Sequence, residues 1–312
     1  MKNPFKKILF GDTEITEYST ITVDKEIPET VYLKTKNAAI NISKNHYVLC
    51  LNPVVFGVWF ENKEHEEIIT KTNNLQLSFY NSSVEKKNNI SAIVEVAFTD
   101  KIEETCGTLL LLKLKSCSIY HTNSLKRFIL FQKYYKKPRL SFQYYQSLIS
   151  AYSYPRKVRV ISFKENGYYN IFPMDLVGDI ESCNRYVFGL RHTNVTLAKI
   201  IETKKIVVSE FPFEQKKTIY QLGKHHGSSP PSLSSLSFKT MLSRQYKFYI
   251  PEWVESYKEI KILKTINLGS HMLLWGEVID EQKLKAPSDN LYHIHFMEYL
   301  QQKTNGFTYA IV

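Results

Sequence analysis

The sequence predicts a mainly β protein made of two similar barrel-like units with few short helices. One observation is a pair of segments, residues 52–79 and 184–211, that align with each other without a gap. A second is the series of β-branched and aromatic runs bounded by turn-forming residues, including the long runs 259–266 and 271–279. The regular alternation of strands and helices that predicts a parallel sheet is missing from the sequence.

The repeat is the strongest evidence for two units. Both copies place a bulky apolar pair before a glycine, and the matching residues are Val55, Phe56, Gly57 and Asn62 in the first copy and Val187, Phe188, Gly189 and Asn194 in the second. We interpret the repeat as an internal duplication, with two merely similar strand-helix-strand units as the alternative. A length of 312 residues is sufficient for two ordinary domains.

Local patterns predict the elements of the second copy. Residues 158–162, 186–190 and 206–211 are typical of strands, and Asn166-Gly167 predicts a tight hairpin because both residues tolerate positive φ. Thr193 or Asn194 is predicted to cap a short helix whose apolar residues 197, 200 and 201 share one face.

The boundary between the units is predicted near residues 151–156, which gives one domain over 1–150 and another over 151–312. The aromatic and basic stretch 126–145 precedes this boundary and is interpreted as a connecting helix. Residues 227–237 are rich in Ser and Pro and predict a loop within the second unit.

Composition restricts the class of protein. Apolar residues make up 43% of the chain, and 41 Lys and Arg against 30 Asp and Glu give a formal charge of +11, which favours anionic ligands. The longest apolar stretch is too short to cross a bilayer, and the N-terminus lacks a signal-peptide pattern. Cys50, Cys106, Cys117 and Cys183 form no CxxC pair, so we expect reduced thiols and a cytoplasmic protein with no membrane partner.

From residue 158 onward, the order of motifs resembles the flavin reductase-like family of FMN-binding split barrels. The motifs are VRVIS, ENG, YYNIFPMDLVG, YVFGLRHTNVTLAKI and GSHMLLWGEV. The resemblance covers about half of the chain and depends on order and spacing, because no single motif is diagnostic. It implies tandem FMN-binding split barrels, of which the first is a degenerate copy.

Residues 170–177 are predicted to form a loop after a strand, and the resemblance implies that this loop contacts the flavin ring. Its residues there are Asn170, Phe172, Met174, Asp175, Leu176 and Val177. Apolar side chains beside backbone N–H groups suit an isoalloxazine, whose faces are apolar and whose edge needs hydrogen-bond partners. The alternative is a hairpin that packs its aromatic residues into the core.

A second segment is expected to contact the phosphate and the ribityl chain. It contains Arg191, His192, Thr193, Asn194 and Thr196, and it precedes the predicted helix, where N–H groups favour anions. An ordinary helix cap with a surface arginine is the alternative. The first copy has Trp59 and Glu61 in place of Arg191 and Thr193, so we expect it to have lost flavin binding.

His271 follows Gly269-Ser270 and resembles the family's Gly-Asp-His, in which the histidine lies near the nicotinamide and the flavin. Ser270 replaces the acid, which leaves a structural histidine as the alternative. Hydride transfer needs alignment of two rings more than an acid or a base, so the lack of a catalytic triad is no objection.

These residues predict a flavin reductase-like oxidoreductase that binds FMN, or FAD, and takes electrons from NAD(P)H. The alternatives are a non-catalytic flavin-binding or small-ligand-binding protein, and a nucleic-acid-binding β module that uses the basic stretch 126–139. Because members of the family usually form homodimers, the two units are expected to form an intramolecular pseudo-dimer, which leaves room for a further homodimer. Histidines at 225, 226, 293 and 295 lack convincing partners for a metal site.

Overall fold

The computed structural model describes residues 18–23, 27–61, 63–72, 74–82, 87–136, 138, 140–223, 230–288 and 290–304. Strands dominate both halves of this part of the chain, which confirms the predicted mainly β fold. None of its helices is long and apolar enough to span a membrane.

The described residues of the first half form eight strands and three helices. The strands are β1 (Tyr18–Val23), β2 (Thr30–Lys34), β3 (Ala39–Asn41), β4 (His46–Leu51), β5 (Val54–Phe60), β6 (Leu75–Tyr80), β7 (Ile90–Glu104) and β8 (Gly107–Ile119). The helices are α1 (Lys63–Thr70), α2 (Ser124–Leu130) and α3 (Phe142–Ala151). A short 3-10 turn, Lys87–Asn89, precedes β7, and a π-helical turn, Phe131–Tyr135, follows α2.

The second half contains eleven strands and three helices in its described residues. The strands are β9 (Arg156–Lys157), β10 (Arg159–Glu165), β11 (Tyr168–Met174), β12 (Val177–Ile180), β13 (Arg185–Arg191), β14 (Lys205–Glu210), β15 (Thr240–Leu242), β16 (Tyr249–Pro251), β17 (Ser256–Asn267), β18 (His271–Lys283) and β19 (Asn290–His295). The helices are α4 (Leu197–Thr203), α5 (Lys216–Gly223) and α6 (Phe296–Thr304). Three 3-10 turns cover Glu181–Cys183, Phe213–Gln215 and Leu233–Ser235.

Each half contributes one seven-stranded antiparallel sheet, and the two sheets have the same strand order. The first is β3-β2-β6-β7-β8-β5-β4 and the second is β11-β10-β14-β17-β18-β13-β12. When the seven strands of each sheet are numbered in chain order, both sheets have the strand order 2-1-5-6-7-4-3. The repeated segments occupy the same place in each unit, since both run from the fourth strand through a helix to the fifth. Duplication as the origin of this likeness stays a prediction.

The predicted hairpin lies between β10 and β11, where Asn166 and Gly167 have φ values of 47° and 79°. Helix α4 begins later than expected. Its N-cap is Thr196, whose backbone N–H donates to Asn194 Oδ1 at 2.8 Å. Asn194 therefore shapes the preceding turn, and neither predicted residue caps the helix.

The stretch 126–145 forms two helices, so the expectation of one connecting helix is wrong. Pro138 lies in the break between α2 and α3, and proline cannot donate the backbone hydrogen bond that a continuous helix requires. Each helix has its own cap, since Asn123 Oδ1 accepts from the N–H of Lys126 and Ser141 Oγ accepts from that of Tyr144.

The two units pack against each other along β4. This strand contacts β12, β13 and β18 of the second unit. The glycines conserved between the two repeat copies make room for it: a Cβ atom on Gly189 would lie 2.0 Å from the backbone oxygen of Leu49, and one on Gly57 would lie 2.6 Å from Leu49 Cδ1. A shared apolar cluster surrounds this contact and includes Val55 and Val187.

Polar contacts flank the apolar cluster. Arg185 on β13 forms two hydrogen bonds with the carboxylate of Glu104 on β7, at 3.1 and 3.2 Å, and Trp275 Nε1 donates to the same carboxylate at 2.9 Å. The hydrogen bond from Arg185 holds the pKa of Glu104 below its ordinary value. The Tyr47 hydroxyl donates to the backbone oxygen of Asp179 at 3.1 Å. The inter-unit surface is therefore polar at its edges and apolar at its centre.

Contacts also cross the predicted boundary at residue 150 through the ends of the chain. Strand β1 pairs with β19, and β19 pairs with β9. Ile294, Phe296 and Met297 are buried in the core of the first unit. The division into 1–150 and 151–312 stays a prediction.

The expectation of four reduced thiols is wrong for one pair. Cys106, next to the β7–β8 turn, and Cys183, before β13, form a disulfide with Cα atoms 5.7 Å apart. Cys50 and Cys117 are free. The 77-residue separation gave no indication of this pairing, because the packing of one unit on the other brings the two cysteines together. The cytoplasmic location stays a prediction.

We predict that Gly189→Ala destabilises the protein by about 2–4 kcal/mol, since the new methyl group would overlap the backbone of Leu49. Urea unfolding followed by circular dichroism measures the change. Gly223→Ala is the matched control and should cost less than about 1 kcal/mol, because the added Cβ meets only a side-chain atom of Pro173, at 3.3 Å. Equal midpoints for the two variants would contradict the proposed close contact.

Candidate functional site

A cleft of about 220 Å³ lies where the second unit meets the first. Three strands of the second unit contribute to it: β11 with the turn that follows it, the end of β13, and the start of β18. Residues of the first unit and of the connection complete the lining. The lining residues are Leu51, Tyr152, Phe172, Pro173, Met174, Asp175, Leu176, Gly189, Leu190, Arg191 and His271.

Arg191 and His271 are direct cross-strand partners at one end of the cleft. The Arg191 side chain is exposed, and within the described part of the chain no ion pair neutralises its guanidinium. His271 is buried, at 2% exposure, and its Nδ1 lies 2.8 Å from Ser270 Oγ. The arrangement offers a cation to an anionic group of a ligand and an imidazole beside it.

The first unit fixes the position of His271. The backbone N–H of Asn52 donates to Ser270 Oγ at 3.0 Å, and the N–H of Ser270 donates to the Asn52 carbonyl at 2.7 Å. Gly269 has a φ of 117°, and a Cβ atom there would lie 2.7 Å from the same carbonyl. Ser270 thus bonds the imidazole and joins the two units.

Asp175 provides a partly buried negative charge at the cleft. Its Oδ2 accepts a hydrogen bond from the Tyr152 hydroxyl at 3.0 Å and lies 2.9 Å from His293 Nδ1. His293 Nε2 lies 2.6 Å from the Tyr220 hydroxyl, so a chain of three side chains leads from Asp175 to the surface. Burial raises the pKa of Asp175, but the hydrogen bond and charge of His293 outweigh it and keep that pKa below its ordinary value.

Six predicted site residues line this cleft: Phe172, Met174, Asp175, Leu176, Arg191 and His271. The structure differs from the expected loop, because Asn170, Phe172 and Met174 belong to β11. Apolar packing on both faces of this strand explains the difference, since Phe172 is part of the second unit's core. Val177 lies in a neighbouring charged cavity.

The remaining predicted residues lie away from the cleft lining. Asn170 Nδ2 donates to Thr196 Oγ1 at 2.7 Å in a buried pair behind the strand. His192 is exposed and bonds Asn267, Thr193 is exposed, and Asn194 is buried in the turn before α4. A role for these five residues in ligand binding stays a prediction.

Sequence analysis missed Leu51 and Tyr152. Leu51 comes from the first unit, directly before the first repeat copy, and Tyr152 lies in the segment that connects the units. The repeat could have indicated Leu51. In a symmetric pair of units, the end of the third sheet strand of one unit, here β4, lies against the other unit. Tyr152 had no such signal.

The structure gives less support to the basic stretch and to the histidines that were considered as metal ligands. Of the basic stretch, Lys133 and Lys136 are exposed, whereas Tyr135 is buried, and residues 137 and 139 lie outside the described residues. Residues 224–226 also lie outside them. His295 is buried in the core of the first unit rather than at the cleft, and burial lowers its pKa to about 3. In the part of the chain that the structure describes, no group of three potential metal ligands occurs.

No protein-family model matches the chain, and no curated protein matches it significantly. Similar solved structures include an FMN-binding protein from Thermus thermophilus, with 17% identity over 51% of this chain and 86% of that chain and a TM-score of 0.41. An NADH:FAD oxidoreductase from Streptomyces globisporus has 15% identity over 47% and 87%, with a TM-score of 0.42. The solved structures that the chain is similar to are thus FMN-binding and flavin reductase-like proteins, and each likeness covers about half of this chain.

We predict that the ionised Asp175 makes folding sensitive to acid. Its folded pKa lies below the unfolded value of about 3.9, so its contribution to stability is complete above that pH and is lost as the pH falls through the folded pKa. Asp175→Asn should therefore flatten the acid limb of the unfolding free energy below about pH 4. The control is Asp100→Asn, which replaces an exposed carboxylate. Identical acid limbs for the wild type and Asp175→Asn would contradict the assignment.

Proposed function

We propose that the chain binds FMN non-covalently at the cleft between the units and transfers electrons from NAD(P)H to the flavin. The observation that supports this most is the convergence of three segments that are distant in sequence. The turn at Asp175 and Leu176, the cation at Arg191 and the imidazole at His271 line one cleft. These are the groups that a flavin phosphate, a planar ring and a nicotinamide would contact.

The chemistry of the lining fits the flavin. Phe172, Met174 and Leu176 offer apolar surface to the ring, and Arg191 offers a charge-assisted hydrogen bond to the phosphate. The volume of about 220 Å³ lies below the roughly 300 Å³ at which sites for drug-sized ligands begin, so part of the ligand would extend into solvent. When bound, the flavin would supply the redox chemistry.

The residues of the chain would then bind and align the two rings. His271, fixed by Ser270 and Asn52, would define the side from which a nicotinamide approaches. Asp175 would remain ionised and would keep His293 and Tyr152 in place. Leu51 and Tyr152 would cover the cleft and limit the access of water, which favours hydride transfer over side reactions.

In this proposal the first unit has exchanged its flavin site for a structural role. Trp59 and Leu109 pair where Arg191 and His271 pair in the second unit, so the cation and the imidazole are both replaced. The first unit instead supplies Leu51 to the cleft of the second and Asn52 to Ser270, as a partner subunit would in a homodimer. Further dimerisation of the whole chain stays a prediction.

A non-catalytic flavin-binding protein is the second candidate. It is favoured by the depth of His271, which is 2% exposed and lies under the mouth of the cleft. Binding would then need Arg191 and the β11 turn alone, and His271 would serve only the contact between units.

Arg191→Ala should weaken the binding of FMN about 10-fold or more, because a charged hydrogen bond to the phosphate is worth about 1.5–3 kcal/mol. Riboflavin, which lacks the phosphate, should bind equally to both proteins. Fluorescence titration of each flavin measures the affinities. The matched control is Arg244→Ala, which removes an exposed arginine of the same unit outside the cleft. If Arg191→Ala weakened the binding of FMN and of riboflavin equally, Arg191 would not be the residue that contacts the phosphate.

His271→Ala should slow the reduction of bound FMN by NADH about 10- to 100-fold through misalignment of the rings. The affinity for FMN should stay within about threefold of the wild type, since the phosphate contact is unchanged. Anaerobic stopped-flow absorbance measures the rate. His271→Asn can still bond Ser270, so it shows whether the contact between units alone is responsible. Wild-type rates in both variants would remove His271 from the reduction step, whereas bound FMN that NADH fails to reduce in the wild type would favour the non-catalytic candidate.

A further inference from the structure

A second groove, of about 710 Å³, lies in the first unit. Its position corresponds to that of the cleft in the second unit. Trp59, one residue before the end of β5, pairs with Leu109, as Arg191, at the end of β13, pairs with His271. Leu51, at the end of β4, lines the cleft of the second unit, and Ile180, at the end of β12, lines this groove of the first. The two sites therefore occupy equivalent positions, and exchanging the roles of the two units converts one site into the other.

The two sites differ in charge. Three carboxylates line the groove of the first unit, those of Glu61, Asp179 and Glu181, against a single cation, Lys44. Neutral Trp59 stands where the second unit has Arg191. A phosphate would be repelled here, and a cation would be attracted.

Two buried polar atoms of the lining have no hydrogen-bond partner among the described residues. They are Nε1 of Trp59, whose side chain is 3% exposed, and Oδ1 of Asp179. The other carboxylate oxygen of Asp179 lies 2.5 Å from Lys258 Nζ. An indole N–H and a carboxylate oxygen without partners are costly inside a protein, so both favour a ligand that offers an acceptor and a donor.

Three aromatic residues, Tyr47, Trp59 and Phe60, also line the groove, and each is at most 9% exposed. The Trp59 ring stacks on Trp275, which holds the indole in place. The Tyr47 ring is fixed, because its hydroxyl donates to the Asp179 backbone and its atoms lie over Gly178. The surface is thus preformed on both sides of the contact between the units.

We propose that this groove binds an organic cation that carries a hydrogen-bond acceptor. The cationic group would pair with Asp179 and lie near Glu61 and Glu181, and the acceptor would take the Trp59 N–H. The site is separate from the proposed flavin site, and its ligand has the opposite charge.

The test uses the full-length protein saturated with FMN and a series of probes that differ in charge at nearly constant shape. We expect 4-hydroxybenzamidine to bind more tightly than 4-hydroxybenzamide, and 4-hydroxybenzoate to bind most weakly. Isothermal titration calorimetry measures the three affinities. The same titrations without FMN should give the same order, so the result does not depend on whether flavin binds.

Two sets of variants locate the binding. Glu61→Gln with Glu181→Gln removes two exposed carboxylates and should weaken 4-hydroxybenzamidine about three- to tenfold. The control is Glu202→Gln, an exposed carboxylate outside the groove, which should leave the affinity unchanged. Trp59→Phe keeps an aromatic ring and removes the N–H, so it should weaken 4-hydroxybenzamidine but leave unsubstituted benzamidine unaffected.

Three results would overturn the proposal. The first is equal affinity for the cationic, neutral and anionic probes, and the second is no binding of any of them at millimolar concentration. The third is an equal loss of affinity in the Glu202→Gln control and in the double variant. The attraction would then come from the overall surface charge and not from the groove.

Discussion

The close approach of Leu49 on β4 to Gly189 on β13 is the contact on which the rest of the molecule depends. The backbone of Leu49 occupies the space that any side chain at position 189 would need. This approach brings Asn52 to Ser270, Glu104 to Arg185 and Leu51 to the cleft. The candidate site is therefore a product of the contact between the units and not of one unit alone.

The two units share a strand order and differ in chemistry. One site carries an exposed arginine beside a buried histidine, and the other carries a tryptophan beside a leucine. The two sites therefore differ in charge. Carboxylates line the groove beside Trp59, whereas Arg191 has no acidic partner in the described chain. In our proposals, one topology would therefore give two sites for ligands of opposite charge.

Much of this arrangement could be predicted from the sequence. The repeat located equivalent strands, Asn166-Gly167 identified the hairpin, and the order of motifs indicated Arg191, His271 and the β11 turn. Contacts between distant segments leave no periodic pattern, so the Cys106–Cys183 disulfide and the roles of Leu51 and Tyr152 could not be predicted. The pairing of β1 with β19 joins nearly opposite ends of the described chain, and it likewise could not be predicted from the sequence. The β11 strand was predicted as a loop because its apolar residues match a ligand-binding turn as well as a buried strand.

We propose that the cleft binds a flavin that NADH or NADPH reduces. The most direct test is the absorbance spectrum of the purified protein with FMN, recorded anaerobically before and after addition of NADH or NADPH. The account predicts a shifted flavin band on binding and its rapid bleaching by at least one of the two nucleotides. A protein that leaves the FMN spectrum unchanged would contradict the account, and bound flavin that resists bleaching would contradict its catalytic part.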